Sequence, residues 1–139
     1  WRDQLDLPIP QRGESEAARV LAKLARSHSL TFFEYFLTDK VGHKRIETPP
    51  THLLSALDQF FDTLLNTLNP SEETLLVTSD HGNLEDTSHT QHTRHPVPLL
   101  VHGWAAPYFA EATSLADVTP RIVEALRTAN TETAPPSAR

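Results

Sequence analysis

Aspartate and histidine side chains gather in three short polar segments of this 139-residue chain, at residues 38–43, 78–83 and 89–96. Carboxylate oxygens and imidazole nitrogens are donors that Zn²⁺ and Mn²⁺ accept in proteins. Gly42 and Gly82 stand beside the acidic and histidine residues of the first two segments, where they let the backbone bend closely around an ion. Because a single segment cannot surround an ion, the pattern predicts that the three segments converge on a metal centre.

The composition excludes several other classes of protein. Lys and Arg total 12 against 18 Asp and Glu, which gives a net charge of −6 and argues against a basic nucleic-acid footprint. No apolar run approaches the roughly 18 residues of a membrane span. The chain has no Cys, so disulfides and thiolate metal sites are excluded. We therefore expect no nucleic-acid partner and no membrane partner, and we expect a cytoplasmic location.

Hydrophobic periodicity predicts the elements that must position the three segments. Helices are predicted over 14–27, over 51–68, and from Asp117 or Thr119 through Leu126 with Pro120 in the first turn; strands are predicted over 30–37, 74–78 and 97–101. This order implies βαβ crossovers and therefore an α/β fold, with three layers and a mainly parallel sheet between helices. Ligands gather beyond the carboxyl ends of such strands, where the polar segments fall.

The length is that of one domain. Residues 1–12 are predicted to form an irregular lead-in, residues 13–130 the domain itself, and residues 131–139 a flexible tail. The chain has no Met and begins with Trp1, so we expect it to be processed or to be a piece of a longer gene product.

Three ordered motifs resemble the C-terminal motifs of the alkaline phosphatase superfamily. The branch they resemble most contains cofactor-independent phosphoglycerate mutase and phosphopentomutase. The motifs are Asp39-x-x-Gly-His43, Thr78-Ser-Asp80-His81-Gly-Asn83 and His92-Thr-Arg-His-Pro-Val-Pro98, and the segment from Leu115 to Pro120 resembles the helix start that follows them. The resemblance spans roughly residues 32–126 and implies an incomplete alkaline-phosphatase-like core.

The resemblance also implies two divalent ions, with Mn²⁺ or Zn²⁺ as first candidates and Mg²⁺ as a further one. By position, Asp39, His43 and His92 would hold one ion, and His89 and His95 compete with His92 for its role. Asp80 and His81 would contribute to the other ion. The substrate implied is a small phosphorylated molecule, for which Arg94 or Lys44 could neutralise a phosphate oxygen.

Two parts of the family's site match nothing in this chain: the Ser or Thr nucleophile and a further Asp ligand, both N-terminal to the motifs. The catalytic residue therefore stays unassigned. We expect this chain to be the C-terminal part of a catalytic domain and to be inactive alone. The missing N-terminal half, or a partner chain, would then cover an exposed edge of the sheet.

The sequence thus predicts the metal-binding half of a metal-dependent phosphomutase or phosphatase-like hydrolase. The alternative is a non-catalytic metal-binding module, or a degenerate relative of the same superfamily. A Ser–His–Asp hydrolase using Ser79 or Ser88 is a weaker hypothesis, because the chain has no Gly-x-Ser-x-Gly turn.

Overall fold

Helices dominate the part of the chain that the computed structural model describes, which comprises residues 8 and 10–133. In chain order the elements are α1 (Glu14–Ala25), α2 (Leu37–Gly42), α3 (Pro50–Thr67), β1 (Thr74–Thr78), β2 (Leu99–Gly103), a 3-10 helix (Ala106–Phe109) and α4 (Leu115–Thr133). They form two units: one contains α1 and α3, and the other contains the remaining elements. No helix in the described residues is long and apolar enough to cross a membrane.

The first unit is a pair of helices, as the periodicity predicts. Ala18 and Ala22 lie one turn apart on α1 and are fully buried, so small side chains let α3 approach closely. Leu53, Phe60 and Leu64 are the buried residues of α3. The predicted helices over 14–27 and 51–68 are confirmed to within two residues at each end.

The second unit is built on a two-stranded antiparallel sheet. Its register pairs Thr74 with Gly103 and Thr78 with Leu99, so the end of β1 lies beside the start of β2. A small core of Ala105, Phe109 and Ala125 packs with partly buried side chains of both strands. This pairing brings the polar segment that follows β1 close to the polar segment that precedes β2.

The predicted parallel, three-layer sheet is not what the described residues form. The strand over 74–78 is confirmed, and the next strand begins at Leu99, two residues later than predicted. Parallel pairing needs a crossover that returns the chain to the opposite end of the sheet, usually through a helix. Residues 79–98 contain no helix, so the chain turns back and pairs antiparallel.

The predicted strand over 30–37 is wrong. Residues 30–36 have no regular secondary structure, and Leu37 begins α2. Phe32 keeps 85% of its surface exposed, and Phe33 and Phe36 are about half exposed. Aromatic and β-branched residues favour a strand only where a neighbouring strand can pair with them, and no strand in the described residues pairs with this segment.

The last helix begins earlier than predicted, at Leu115 rather than at Asp117 or Thr119. The Asp117 carboxylate caps the helix start there, because it accepts from the Thr113 N–H and from the Ser114 N–H and hydroxyl. Pro120 consequently lies inside the helix, where it cannot donate to the Ala116 carbonyl.

The predicted ends of the chain fall mostly outside the described residues. Residues 8 and 10–12, which belong to the predicted lead-in, have no regular secondary structure, and the rest of that segment lies outside the described residues. Helix α4 continues to Thr133, so it runs three residues into the predicted tail.

Candidate metal centre

The short helix α2 carries Asp39, and His43 caps its C-terminal end four residues later, which brings the two side chains close together. The Asp39 Oδ1 atom lies 3.2 Å from the His43 Nε2 atom. The turn after His43 is fixed by backbone bonds: Lys44 adopts a left-handed conformation with φ of 54°, and the Arg45 N–H donates to the Lys40 carbonyl at 2.8 Å. The helix end thus holds the imidazole of His43 at a defined position.

The loop before β2 supplies His92 and orients His43. The His43 Nδ1–H donates to the Thr90 carbonyl at 2.7 Å. With its proton on Nδ1, the ring presents the lone pair of Nε2, which lies 2.9 Å from His92 Nε2. His92 Nε2 is also 3.5 Å from Asp39 Oδ1.

These three side chains fit a divalent cation. Their ligand atoms all lie within 4.8 Å of one another. Atoms bound at about 2.0–2.2 Å from Zn²⁺ at tetrahedral angles are about 3.3–3.6 Å apart, close to the separations found here. Two imidazole nitrogens facing each other at 2.9 Å also require a proton or a cation between them. That an ion binds here stays a prediction.

The structure brings His81 to this group but leaves Asp80 at its edge. The His81 ring stacks on His92 with centroids 3.6 Å apart, and its Nε2 lies 3.9 Å from Asp39 Oδ1. Its Nδ1 is buried and has no hydrogen-bond partner among the described residues. Asp80 Oδ2 lies 3.5 Å from His81 Nε2, and the Asp80 side chain is 85% exposed. A second ion held by Asp80 and His81 stays a prediction.

The competing histidines lie apart from the Asp39 carboxylate. His89 Nε2 is 3.5 Å from Asp86 Oδ2, and His95 Nδ1 is 3.5 Å from Glu85 Oε1. Of the three histidines in the loop, the structure therefore brings only His92 within 4.8 Å of both Asp39 and His43.

The two candidate phosphate-binding residues have different surroundings. Arg94 lines a cavity of about 410 Å³ together with Asp80 and His81. The Lys44 side chain is exposed at the end of α2. A role for either residue in binding substrate stays a prediction.

Sequence reasoning missed a contact that joins the second and third segments. The Glu85 carboxylate accepts from the Asn83 N–H at 2.6 Å and from the Thr93 hydroxyl. The Thr93 bond is the main cause that holds the pKa of Glu85 below its ordinary value, with backbone N–H groups and nearby His95 acting in the same direction. Glu85 lies in a polar stretch without hydrophobic periodicity, so no pattern distinguishes it from a solvated acid.

Family comparison places the chain in a class of metal-dependent proteins. A family model described as the Metalloenzyme superfamily matches residues 10–130, and the chain belongs to that superfamily. The resemblance inferred from the three motifs is confirmed.

Three curated relatives that the chain resembles share the name 2,3-bisphosphoglycerate-independent phosphoglycerate mutase. The protein from Ehrlichia canis is 30% identical over 111 residues, covering 75% of this chain and 22% of the relative. The Acaryochloris marina protein is 35% identical over 127 residues, covering 81% and 23%. The Legionella pneumophila protein is 29% identical over 126 residues, covering 84% and 24%. The chain thus spans about a quarter of their length, and no solved structure matches it.

Proposed function

We propose that this chain is the metal-binding part of a metal-dependent phosphomutase that acts on a small phosphorylated substrate such as a phosphoglycerate. The names of the relatives support a mutase rather than a phosphatase-like hydrolase. The observation that carries the proposal is the convergence of Asp39, His43 and His92. The first two lie at helix α2 and its C-terminal end, and His92 lies in a loop 49 residues beyond His43.

Each side chain has a definable task in this proposal. Asp39, His43 and His92 hold one divalent ion, and the Thr90 carbonyl keeps the Nε2 lone pair of His43 available to it. Asp80 and His81 contribute to a second ion. Ions bound by these residues would supply positive charge to stabilise the oxygens of an in-line phosphoryl displacement. Arg94, beside Asp80 and His81 in the same cavity, neutralises a phosphate oxygen of the substrate.

A longer parent protein, of which this chain would be one part, would supply the remaining parts of the reaction. No residue of this chain is assigned as nucleophile, so the rest of the catalytic domain would supply it, together with the further Asp ligand. That part would also complete a three-layer core around the two strands described here. A cytoplasmic location for the parent stays a prediction.

Metal titration tests the proposal directly. We expect the chain to bind Mn²⁺ or Zn²⁺, and His43→Ala and His92→Ala each to weaken the affinity by more than about 100-fold, because each removes a direct ligand. His89→Ala is the matched control, since His89 pairs with Asp86 and lies outside the Asp39 group. Affinity measured by competition with a chelator gives the answer. Equal metal affinity in the wild type, His43→Ala, His92→Ala and His89→Ala would overturn the proposed function.

A further inference from the structure

The three segments that carry the candidate ligands are tied together around two residues, Asn83 and Glu85. Asn83 follows His81 by two positions, and its N–H donates to Glu85 at 2.6 Å. The other oxygen of Glu85 accepts from the hydroxyl of Thr93, the residue next to His92. One carboxylate therefore joins the segment of His81 to the segment of His92.

The same two segments are packed against each other without spare room. The Thr93 N–H donates to the Gly82 carbonyl at 2.9 Å in an isolated β-bridge. A Cβ atom built on Gly82 would overlap the Thr93 hydroxyl oxygen and Glu85 Oε1. A side chain at position 82 would therefore displace the Thr93 hydroxyl or the Glu85 carboxylate from this arrangement.

Asn83 makes the connection to the third segment. Its side chain is only 6% exposed. The three atoms closest to a Cβ built on Gly42 all belong to the Asn83 amide group, and its oxygen would overlap that Cβ. Gly42 directly precedes His43. The Asn83 amide therefore packs against the backbone next to this candidate ligand.

The buried amide is costly for the stability of the fold. Neither Asn83 Oδ1 nor Asn83 Nδ2 has a hydrogen-bond partner among the described residues. An amide buried without partners loses the hydrogen bonds it makes with water, whereas an apolar side chain of similar size carries no such cost. Such a local conflict is characteristic of functional sites rather than of loops that serve only stability.

We propose that Asn83 and Glu85 are positioning residues of the metal centre, which set the distances among the ligands carried by α2 and by the two polar segments. The inference rests on the proposed metal-binding function. Glu85 acts on His81 and His92 through its two hydrogen bonds, and Asn83 acts on His43 through Gly42.

Substitution of Glu85 tests the first contact. We expect Glu85→Ala to weaken Mn²⁺ or Zn²⁺ affinity by about 10–100-fold, the usual loss when a group that orients a ligand is removed. Glu85→Gln should recover most of the affinity, because an amide can accept from the Asn83 N–H and donate to the Thr93 oxygen. Asp86→Ala is the control, because the Asp86 carboxylate accepts a hydrogen bond from the Ser88 N–H and pairs with His89. The urea midpoint of each variant is measured beside its metal affinity.

Two outcomes of that series would overturn the role of Glu85. One is wild-type affinity in Glu85→Ala. The other is a Glu85→Gln protein as impaired as Glu85→Ala, which would mean that negative charge and not hydrogen bonding matters. A purely structural role would lower the urea midpoint while leaving the metal affinity of the folded protein unchanged.

A double-mutant cycle between Gly42 and Asn83 tests the contact between the Asn83 amide and the Gly42 backbone. This cycle also tests the positioning role if Glu85→Ala fails to fold. Gly42→Ala should weaken metal affinity by at least about 10-fold, because its methyl group displaces the Asn83 amide. In an Asn83→Ala background the clash is absent, so Gly42→Ala should change the affinity by less than about threefold. Equal losses in both backgrounds would show that Asn83 does not act through Gly42.

The same measurements separate this inference from the proposed function. If the wild-type chain binds no metal, or His43→Ala binds as well as wild type, the proposed metal centre itself is overturned. If His43→Ala loses metal while Glu85→Ala and Asn83→Ala keep it, the centre stands and only the positioning role is overturned.

Discussion

At the residue scale, the turn that follows His43 is held by a lysine in a conformation that most side chains avoid. Lys44 has φ of 54°, in the left-handed region, where the Cβ atom crowds the backbone. Glycine usually occupies this position at a helix end, because it has no Cβ. The backbone is therefore strained one residue after a candidate metal ligand.

Relieving this strain should stabilise the fold. We expect Lys44→Gly to raise the free energy of unfolding by about 0.5–1 kcal/mol. Lys40→Gly, in the interior of the same helix, should instead lower it by about 1 kcal/mol, since glycine is a poor helix former. Urea denaturation of both variants measures the difference. A loss of stability in Lys44→Gly as large as that in Lys40→Gly would contradict the strain.

At the element scale, the sequence predicts the helices better than the sheet. Helices α1 and α3 carry apolar residues at helical spacing over several turns, and that signal depends on each helix alone. The segment 30–37 has strand-like composition, but strand formation depends on a pairing partner that composition cannot identify. The direction of pairing between β1 and β2 likewise depends on the path of residues 79–98, which have no periodic pattern.

The cap of α4 gives a pH-dependent contribution that can be measured. The Thr113 N–H, and then the Ser114 N–H and hydroxyl, hold the pKa of Asp117 below its ordinary value of 3.8. Because the folded-state pKa is the lower one, the stabilisation is present above pH 3.8 and is lost as the pH falls through the folded-state pKa. We expect Asp117→Asn to lower the melting temperature by a few degrees at pH 7 and by progressively less below pH 3.8.

Glu124→Gln is the control for this measurement, because the exposed Glu124 carboxylate pairs with Arg121 and does not cap the helix. Its melting temperature should differ little from wild type at neutral pH. A deficit of Asp117→Asn that stays constant from neutral pH to pH 2 would contradict the cap as its cause.

Motifs in the sequence identify the candidate ligands but not the residues that support them. Asp39, His43 and His92 stand in recognisable motifs, and the structure brings their ligand atoms together. Glu85 and the Thr90 carbonyl could not be found, because an acid in a polar loop and a backbone oxygen carry no pattern of their own. Their roles depend on which segments lie side by side, and only the fold decides that.

At the scale of the whole molecule, we expect metal binding to occur without catalytic turnover of a substrate. The chain spans about a quarter of its mutase relatives and carries no residue assigned as nucleophile. We expect the 139-residue chain to bind metal but to show no measurable phosphoglycerate isomerisation or phosphatase activity. A coupled assay with and without chelator measures this. Turnover by the chain that disappears on chelation would contradict the expectation.

The bridge between Gly82 and Thr93 also bears on how the loop can change in evolution. The bridge holds the two ends of the loop over residues 82–93 side by side. Thr87 and Ser88, near the middle of this loop, are exposed. Lengthening a closed loop costs little entropy, roughly 0.6 kcal/mol for each doubling. Insertions between Thr87 and Ser88 should therefore leave the spacing of His81 and His92 intact, so that relatives can acquire new surface there without rebuilding the residues behind it.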